Sequence, residues 1–395
     1  MTPSFPGASS SDPFNFPRQE LHRDGGLLSE ALERMQASGE VILGEGVRRF
    51  EQSFGAWLAA GGEPPDVVGV ANGTDALELA LRCSGVGRGD RVLLPSHTAY
   101  ATLAAVLRLE AEPVFVDLAP DSPLLSLSHL EALLASGDLR RRPPRALIAV
   151  HLYGAACDLD ALTALCERHA ISLIEDCAQA CGTLHRGRPV GTRGRFGAFS
   201  FYPTKNLAAF GDGGALVVNR PGDREAARRS RMYGWDGSRQ AVQFGVNSRL
   251  DELQAWVLLG KLAHLDERIA QRRRVAGWYR SRLEGRLTLP ADGADWRHSY
   301  HLHVVTVPPQ RRSDLLEAGR EAGLPLAVHY PLACHQHPHV RQSLGPLPPL
   351  PRTEAFLAGI LSLPLHPYLG EEQIERVCSV VLARLEEGSG PERVR

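Results

Sequence analysis

Lysine is scarce in this chain, and its scarcity singles out two positions. Of the 44 lysines and arginines among 395 residues, only Lys205 and Lys261 are lysines. An arginine side chain cannot be deprotonated in a protein and so cannot act as an amine nucleophile. A retained lysine therefore has a raised chance of doing chemistry that arginine cannot do. Lys205 lies in the loop SFYPTKN after a predicted strand, whereas Lys261 lies on a predicted long helix, where we expect a solvated cation.

A pair of acids follows another predicted strand, because the apolar run ISLI ends in Glu175 and Asp176. Ligands of parallel sheets sit in the loops at the carboxyl ends of the strands, so Asp176 and Lys205 could reach one crevice. Pyridoxal phosphate (PLP) needs such a pair: an amine forms a Schiff base with its aldehyde, and a carboxylate keeps its pyridine nitrogen protonated. Taken singly, Asp176 is more simply a cap or turn residue and Lys205 a surface cation. Their combination with the scarcity of lysine favours a PLP site.

A third motif, ANGTDAL, follows a predicted strand and opens a predicted helix. The free amides and the dipole at a helix N-terminus attract an anion, and Gly73 would let the backbone approach that anion closely. A plain turn capped by Asn72 or Thr74 explains the same residues. The chain carries neither a GxGxxG fingerprint nor a P-loop lysine, so a dinucleotide or P-loop site is not predicted.

The segments that must position these motifs alternate between short apolar runs and amphipathic stretches. We predict strands at residues 67–70, 91–95, 113–118, 146–151, 172–176, 198–201 and 215–218, and helices at 75–83, 100–110 and 159–169. This alternation predicts an α/β fold with a mostly parallel central sheet covered by helices.

The pattern changes after Gly245. A long helix is predicted at 247–283, followed by shorter strands at 301–307 and 327–329 and helices at 313–322 and 371–385. We therefore predict three parts: a flexible tail at 1–25, a large PLP-binding domain at 26–275 and a small C-terminal αβ domain at 276–395.

Composition excludes several classes of function. A formal net charge of −1, with no basic stripe, argues against nucleic acid as a partner. The sequence contains no run of about 18 apolar residues, so no membrane span is predicted. The N-terminus lacks an apolar signal region and the seven cysteines are scattered, so we expect a cytoplasmic protein with reduced thiols. The cluster HQHPH at 335–339 lacks the spacing of a zinc site, and we predict a polar loop and no metal.

An ordered series of segments resembles the DegT-type nucleotide-sugar aminotransferases, a branch of the fold type I PLP enzymes. The matching segments run from about residue 71 to 256, with weaker matches to 368, and include NGTDALELAL, PVFVDL, HLYG, IEDCAQACGT, FSFYPTKNLAAFGDGGAL and GVNSRLDELQA. Such an ordered series is far more specific than any single motif.

The resemblance implies a role for each matching position. Lys205 would carry PLP and move the proton, Asp176 would pair with the pyridine nitrogen, and Gln179 would contact the hydroxyl side of the ring. Three residues would hold the phosphate: Gly73, Thr74 and Ser200. Asn247 would reach the phosphate of the other subunit, which implies a homodimer with shared active sites.

Two regions depart from the family pattern. Ala99 occupies the position where an aromatic side chain usually stacks on the ring, so His97 or Tyr100 would have to take that role. His329 and Tyr330 match positions near the substrate, although a strand end with a packed tyrosine explains them equally well. The segment between His329 and Val340 is shortened or altered against the family pattern, in a region that helps form the substrate mouth.

The resemblance implies an aminotransferase that moves an amino group from an amino acid, L-glutamate, to a keto-sugar linked to a nucleoside diphosphate, with a preference for carbon 3. One alternative is a cyclitol (inosose) aminotransferase, and another is a PLP-binding regulator without catalysis. A sister branch of sugar dehydrases has histidine in place of the lysine, and Lys205 argues against that branch.

Overall fold

The computed structural model describes residues 12–387, which form an α/β structure with fifteen α-helices and twelve strands. The helices are α1 Phe16–Asp24, α2 Gly26–Ser38, α3 Glu45–Ala59, α4 Gly73–Cys83, α5 Tyr100–Leu107, α6 Leu127–Ala135, α7 Gly137–Arg141, α8 Leu159–Arg168, α9 Arg224–Ser230, α10 Glu252–Leu262, α11 Leu265–Leu283, α12 Arg312–Glu321, α13 Pro338–Leu344, α14 Pro351–Gly359 and α15 Glu371–Glu386. The strands are β1 Asp66–Val70, β2 Arg91–Pro95, β3 Glu112–Val116, β4 Ala146–Val150, β5 Ser172–Asp176, β6 Leu184–His185, β7 Arg188–Pro189, β8 Phe196–Ser200, β9 Gly214–Val218, β10 Trp296–Arg297, β11 His303–Thr306 and β12 Ile360–Leu363.

A seven-stranded sheet in the order β1-β9-β8-β5-β4-β2-β3 forms the centre of the molecule. The five strands from β8 to β3 run parallel to their neighbours, whereas β9 is antiparallel to both β1 and β8. Both faces are covered, since Val67 packs into one buried core and its neighbour Val68 into another. Strands buried on both faces consist of continuous apolar residues, so these strands are easily predicted from the sequence. The predicted α/β fold is confirmed.

The long helical segment predicted at 247–283 consists of two helices, because α10 ends at Leu262 and α11 begins at Leu265. The strand predicted at 327–329 was wrong. Only Ala327 pairs there, in one antiparallel bridge with Ser362 of β12. Pro325 and Pro331 flank the segment, and proline cannot donate a hydrogen bond to a strand ladder, so no strand extends from that bridge.

A further buried core lies in the C-terminal part, between the two-stranded sheet of β11 and β12 and helices α11, α12 and α15. It includes Tyr279 of α11, Leu315 of α12, Leu361 of β12 and Val377 of α15. The boundary near residue 275 stays a prediction. None of the helices between residues 12 and 387 is long and apolar enough to cross a membrane.

The N-terminal segment departs from the predicted flexible tail. Residues 1–11 of that tail lie outside the described residues, but residues 16–24 form helix α1, which is fixed by a buried cluster of charges. Glu20 accepts a hydrogen bond from Nζ of Lys261 on α10, and Arg268 of α11 and the hydroxyl of Tyr368 also contact the Glu20 carboxylate. The prediction that Lys261 is solvated was therefore wrong. Its side chain is buried, and a buried charge is tolerated when it is paired and hydrogen-bonded.

Candidate active site

The two acids at the end of β5 serve different purposes, because successive side chains of a strand point to opposite faces of the sheet. Glu175 accepts hydrogen bonds from the backbone amides of Gly191, Arg193 and Gly194, at 2.6–2.8 Å. It also accepts one from Nε2 of His151, at 3.0 Å. These bonds occupy both oxygens of Glu175 and fix the loop at 191–194. Asp176 is the acid that is left for chemistry.

The Asp176 carboxylate is almost enclosed, and each of its oxygens has one donor. Thr102 donates to Oδ2 at 2.8 Å and the backbone amide of Ala178 donates to Oδ1 at 3.1 Å. Burial raises the pKa of Asp176, while these hydrogen bonds and the positive charge of Lys205 act in the opposite direction. A carboxylate has about four acceptor positions, so this one keeps capacity for a further donor such as a protonated ring nitrogen.

Lys205 lies close enough to Asp176 for each charge to shift the pKa of the other. Burial lowers the pKa of the Lys205 amine to about 8, and the charge of Asp176 offsets part of that effect. An amine with a pKa near neutrality is available both as a nucleophile and as a carrier of protons. The structure thus brings the predicted amine and the predicted acid into one site, at the carboxyl ends of β8 and β5.

The loop that carries Lys205 is held by its neighbour Asn206. The Asn206 amide group donates to the carbonyl oxygens of Cys181, at 3.1 Å, and Ser299, at 3.2 Å. These bonds connect the loop to the segment after β5 and to the segment before β11. Sequence reasoning missed Asn206, whose position next to the lysine was the only available signal.

The predicted phosphate site is a close approach between the start of α4 and the end of β8. A Cβ atom on Gly73 would lie 2.7 Å from Cβ of Ser200, so only glycine fits there without a shift. Asn72 caps the helix by accepting from the amide of Asp75 at 2.9 Å. Gly73 and Thr74 occupy the first turn of α4, where helix amides lack partners within the helix. Gly73, Thr74 and Ser200 are therefore together at a helix N-terminus suited to an anion.

Gln179 and Tyr330 lie together, although they are 151 residues apart in the chain. Gln179 Nε2 donates to the Tyr330 hydroxyl at 2.8 Å, and Gln179 Oε1 accepts from the backbone amide of Tyr153 at 2.8 Å. His329 pairs through Nδ1 with the Ser362 hydroxyl at 2.8 Å. The pKa of His329 is lowered, first by burial and then by the positive charge of Lys205. His329 thus lies near the Lys205 amine, and Tyr330 contacts the Gln179 amide.

Of the two residues proposed to stack on the ring, only Tyr100 presents a surface. His97 is 0% exposed, and its ring contacts the rings of Tyr153 and Phe356. Its Nε2 pairs with the Tyr153 hydroxyl at 2.5 Å, and burial lowers its pKa to about 3. Tyr100 is 37% exposed and begins helix α5. A side chain with no accessible surface cannot touch a bound ring, so the structure leaves Tyr100 as the candidate.

Asn247, the predicted phosphate contact of a second subunit, lies in the segment before α10. It is exposed and pairs with Met232 in an isolated antiparallel bridge. Its neighbour Ser248 is buried, and the Ser248 hydroxyl donates to the Asp75 carboxylate of α4 at 2.7 Å. The segment is thus anchored next to the first turn of α4, while Asn247 is exposed.

Sequence reasoning also did not single out His301, which lies near Lys205. Its pKa is lowered well below the usual value by burial and by the nearby charge of Lys205, and its Nδ1 is buried without a hydrogen-bond partner among residues 12–387. A signal existed in the sequence, because His301 lies in the unusually polar run HSYHLH before an apolar strand.

The histidine cluster at 335–339 is not arranged as a metal site. His335 is buried and pairs with the Ser96 hydroxyl at 2.7 Å, while His337 packs its ring edge-on against Tyr100. Within the described part of the chain, one group has three metal-ligating atoms close to one another, and it lies elsewhere: His151, Glu175 and Cys177. The Glu175 oxygens and both His151 nitrogens already make hydrogen bonds, so this group acts as a structural clamp.

The residues present fit PLP. The site offers a half-buried amine, an acid that can pair with a pyridine nitrogen, and a helix N-terminus where glycine permits close approach to a phosphate. These three features are the ones that the cofactor needs, and they meet at one edge of the sheet.

Comparison with known proteins agrees with this geometry. The model of the DegT/DnrJ/EryC1/StrS aminotransferase family matches residues 24–382. A dTDP-3-amino-3,4,6-trideoxy-alpha-D-glucose transaminase from Streptomyces venezuelae is 42% identical over 356 residues, which are 89% of this chain and 90% of that protein.

Two solved structures show the same fold. The crystal structure of S. venezuelae DesV in complex with a ketimine intermediate matches with a TM-score of 0.86 and 38% identity, covering 96% of this chain and 98% of that one. The crystal structure of NtdA from Bacillus subtilis with the bound cofactor PMP matches with a TM-score of 0.83 and 25% identity, covering 92% of this chain and 82% of that one. The chain therefore belongs to the DegT/DnrJ/EryC1/StrS aminotransferase family.

Proposed function

We propose that this protein is a PLP-dependent aminotransferase that moves an amino group from L-glutamate to the keto group of a nucleoside-diphosphate sugar. The observation that carries the proposal is the meeting of Lys205 and Asp176, each of which shifts the pKa of the other, beside the helix N-terminus at Gly73. Family membership supports the reaction class, and the name of the S. venezuelae relative supports an acceptor of the dTDP-sugar type with the amine at carbon 3.

Each residue has one task in this proposal. PLP, when bound, supplies a ring that accepts electrons from the carbon that loses its proton. Lys205 holds the cofactor and later moves the proton, since its lowered pKa lets the amine exist in both forms near neutral pH. Asp176 would keep the ring nitrogen protonated, Gln179 would contact the hydroxyl side of the ring, and Tyr100 would stack on the ring.

The phosphate and the substrate use residues around this centre. Gly73, Thr74 and Ser200 hold the phosphate. His329 and Tyr330 border the substrate, and both are half-buried next to Lys205 and Gln179, where a sugar must approach the amine.

We also propose a homodimer in which Asn247 completes the phosphate site of the partner. Several large apolar side chains are exposed, including Phe244 at 64% and Val41 at 58%, and a subunit interface would cover them. Mixing a Lys205→Ala variant with an Asn247→Ala variant tests this, because a mixed dimer with shared sites regains one intact site. Such a mixture should recover roughly a quarter of wild-type activity, and no recovery would refute shared sites.

We place this enzyme in the cytoplasm, because all seven cysteines are free and six of them are buried. Unpaired thiols are characteristic of a reducing compartment.

A cofactor titration tests the proposal. The protein with PLP should show visible absorbance that glutamate bleaches and that a suitable keto-sugar nucleotide restores, and mass spectrometry should find the aminated sugar. A panel of such nucleotides together with inosose distinguishes a sugar acceptor from a cyclitol acceptor. Lys205→Arg keeps the charge and should lose the cofactor band. A coloured protein that no amino donor bleaches would be a PLP-binding regulator and would overturn the proposal.

A further inference from the structure

A buried chain of two threonine hydroxyls ends on the Asp176 carboxylate. The hydroxyls of Thr98 and Thr102 lie 2.9 Å apart, and Thr102 Oγ1 lies 2.8 Å from Asp176 Oδ2. Both threonines are almost inaccessible to solvent. An ionised carboxylate only accepts hydrogen bonds, so Thr102 must donate to Asp176, and Thr98 must then donate to Thr102.

The position of Thr102 makes this arrangement unusual. A threonine inside a helix commonly turns its hydroxyl back to a backbone carbonyl three or four residues earlier. Thr102 lies in α5, yet its hydroxyl bonds the Thr98 hydroxyl and an acid 74 residues away. The hydroxyl thus connects α5 to β5 at the one carboxylate of the strand end that is not used to hold a loop.

We propose that Thr102 is a positioning residue for Asp176, and that Thr98 orients the Thr102 hydroxyl. With Thr102 on Oδ2 and the Ala178 amide on Oδ1, both carboxylate oxygens are fixed, and their free lone pairs can face the ring nitrogen of the cofactor. The inference rests on the proposed function, because only a PLP enzyme needs an acid at that nitrogen.

The same hydroxyl favours the ionised form of Asp176. Burial raises the pKa of Asp176, and the Thr102 hydrogen bond is the largest of the effects that lower it. The titratable groups that face Asp176 from the surrounding elements are Lys205, His151, Tyr330 and Cys177. A protonated acid could not hold the ring nitrogen in its charged form, so loss of the Thr102 hydroxyl weakens cofactor binding as well.

The test uses the apoprotein, so that it does not depend on catalysis. The infrared difference between a protein and its Asp176→Asn variant isolates the carboxylic acid C=O stretch of Asp176, and its disappearance with rising pH gives the midpoint. In Thr102→Val this midpoint should rise by about 1–2 pH units, the equivalent of one hydrogen bond to a charged group. Thr102→Ser keeps the hydroxyl and should return the midpoint close to that of the wild type.

A matched control exists elsewhere in the chain. Thr353 is also fully buried and its hydroxyl also donates to a carboxylate, Oδ1 of Asp117, at 2.7 Å. Thr353→Val should leave both the Asp176 midpoint and the affinity for PLP unchanged, whereas Thr102→Val should weaken PLP binding by roughly tenfold, which corresponds to one pH unit. Equal effects of the two variants would show a general loss of packing and would overturn the proposal.

Thr98→Val keeps the inference testable if Thr102→Val does not fold. It should raise the midpoint by a smaller amount in the same direction, and an unchanged midpoint would overturn the proposed chain. An unchanged midpoint in Thr102→Val would overturn the whole inference. Failure of the proposed function looks different: glutamate would fail to bleach the bound cofactor while the infrared midpoints still moved.

Discussion

Replacing Lys261 by methionine should destabilise the fold and leave the cofactor site intact. The Lys261 ammonium is fully buried against Glu20, whose side chain is 3% exposed. Methionine keeps the length of the side chain but removes its charge, so the Glu20 carboxylate loses a buried partner. Arg268 of α11 still contacts Glu20, and its distances of 3.2 and 3.4 Å are longer than the bond to Lys261.

The magnitude follows from the cost of breaking one side of a buried ion pair, which is about 3–5 kcal/mol. The entropy of unfolding is about 2.1 cal/mol/K per residue, or about 0.8 kcal/mol/K for a chain of 395 residues. The midpoint of thermal unfolding should therefore fall by about 4–6 °C. Scanning calorimetry or circular dichroism of the purified variants measures this fall.

Two further variants separate the buried pair from a general charge effect. Glu20→Gln combined with Lys261→Met removes both charges and should be more stable than Lys261→Met alone. Arg88→Met breaks an ion pair with Glu110 in which both partners are largely exposed, and it should cost less than about 1 kcal/mol.

The pH dependence has a definite sign. The folded state lowers the pKa of Glu20, so the stabilisation is present above the unfolded pKa and is lost as the pH falls through the folded pKa. The deficit of Lys261→Met should therefore shrink in acid. Wild-type stability in Lys261→Met at neutral pH, or a double variant no more stable than the single one, would refute this reasoning. So would loss of the cofactor band in Lys261→Met.

Two more predictions concern the site itself. Gly73→Ala places a Cβ atom 2.7 Å from Cβ of Ser200, and overpacking of about 1–3 kcal/mol should weaken PLP binding by roughly 5- to 150-fold in a spectroscopic titration. Gly87→Ala, whose Cβ would meet nothing within 4 Å, should bind PLP as the wild type does, and equal affinities in all three proteins would contradict a phosphate site at Gly73. The rate at which the apoprotein captures PLP should rise with pH through about 8, because only the neutral Lys205 amine attacks. Asp176→Asn removes the charge that raises this pKa, so the stopped-flow midpoint should move to lower pH, and a midpoint near that of free lysine would show that the amine is solvated.

Local patterns were sufficient to predict the sheet and the two groups at its edge. β2 and β5 were predicted with their correct ends, because a strand covered on both faces is a continuous apolar run bounded by polar residues. Asp176 ends such a run and Lys205 lies in the loop after another, so their position at one edge is a consequence of parallel strands. The alternation of side chains along a strand could also have predicted different roles for Glu175 and Asp176, since neighbours on a strand point to opposite faces.

The features that the sequence did not reveal depend on partners far away along the chain. Lys261 has the same local pattern whether its helix face meets water or α1, and its burial is decided by Glu20, 241 residues away. The choice between Tyr100 and His97 as the stacking residue depends on the burial of the His97 ring against Tyr153 and Phe356. Thr102 reads as an ordinary helical residue until α5 packs against the end of β5. The sequence by itself determined which segments form the central strands and the chemistry available at their ends. Tertiary packing decided which side chains lose water and which meet, because the free energy of a buried charge depends on neighbours that no local pattern records.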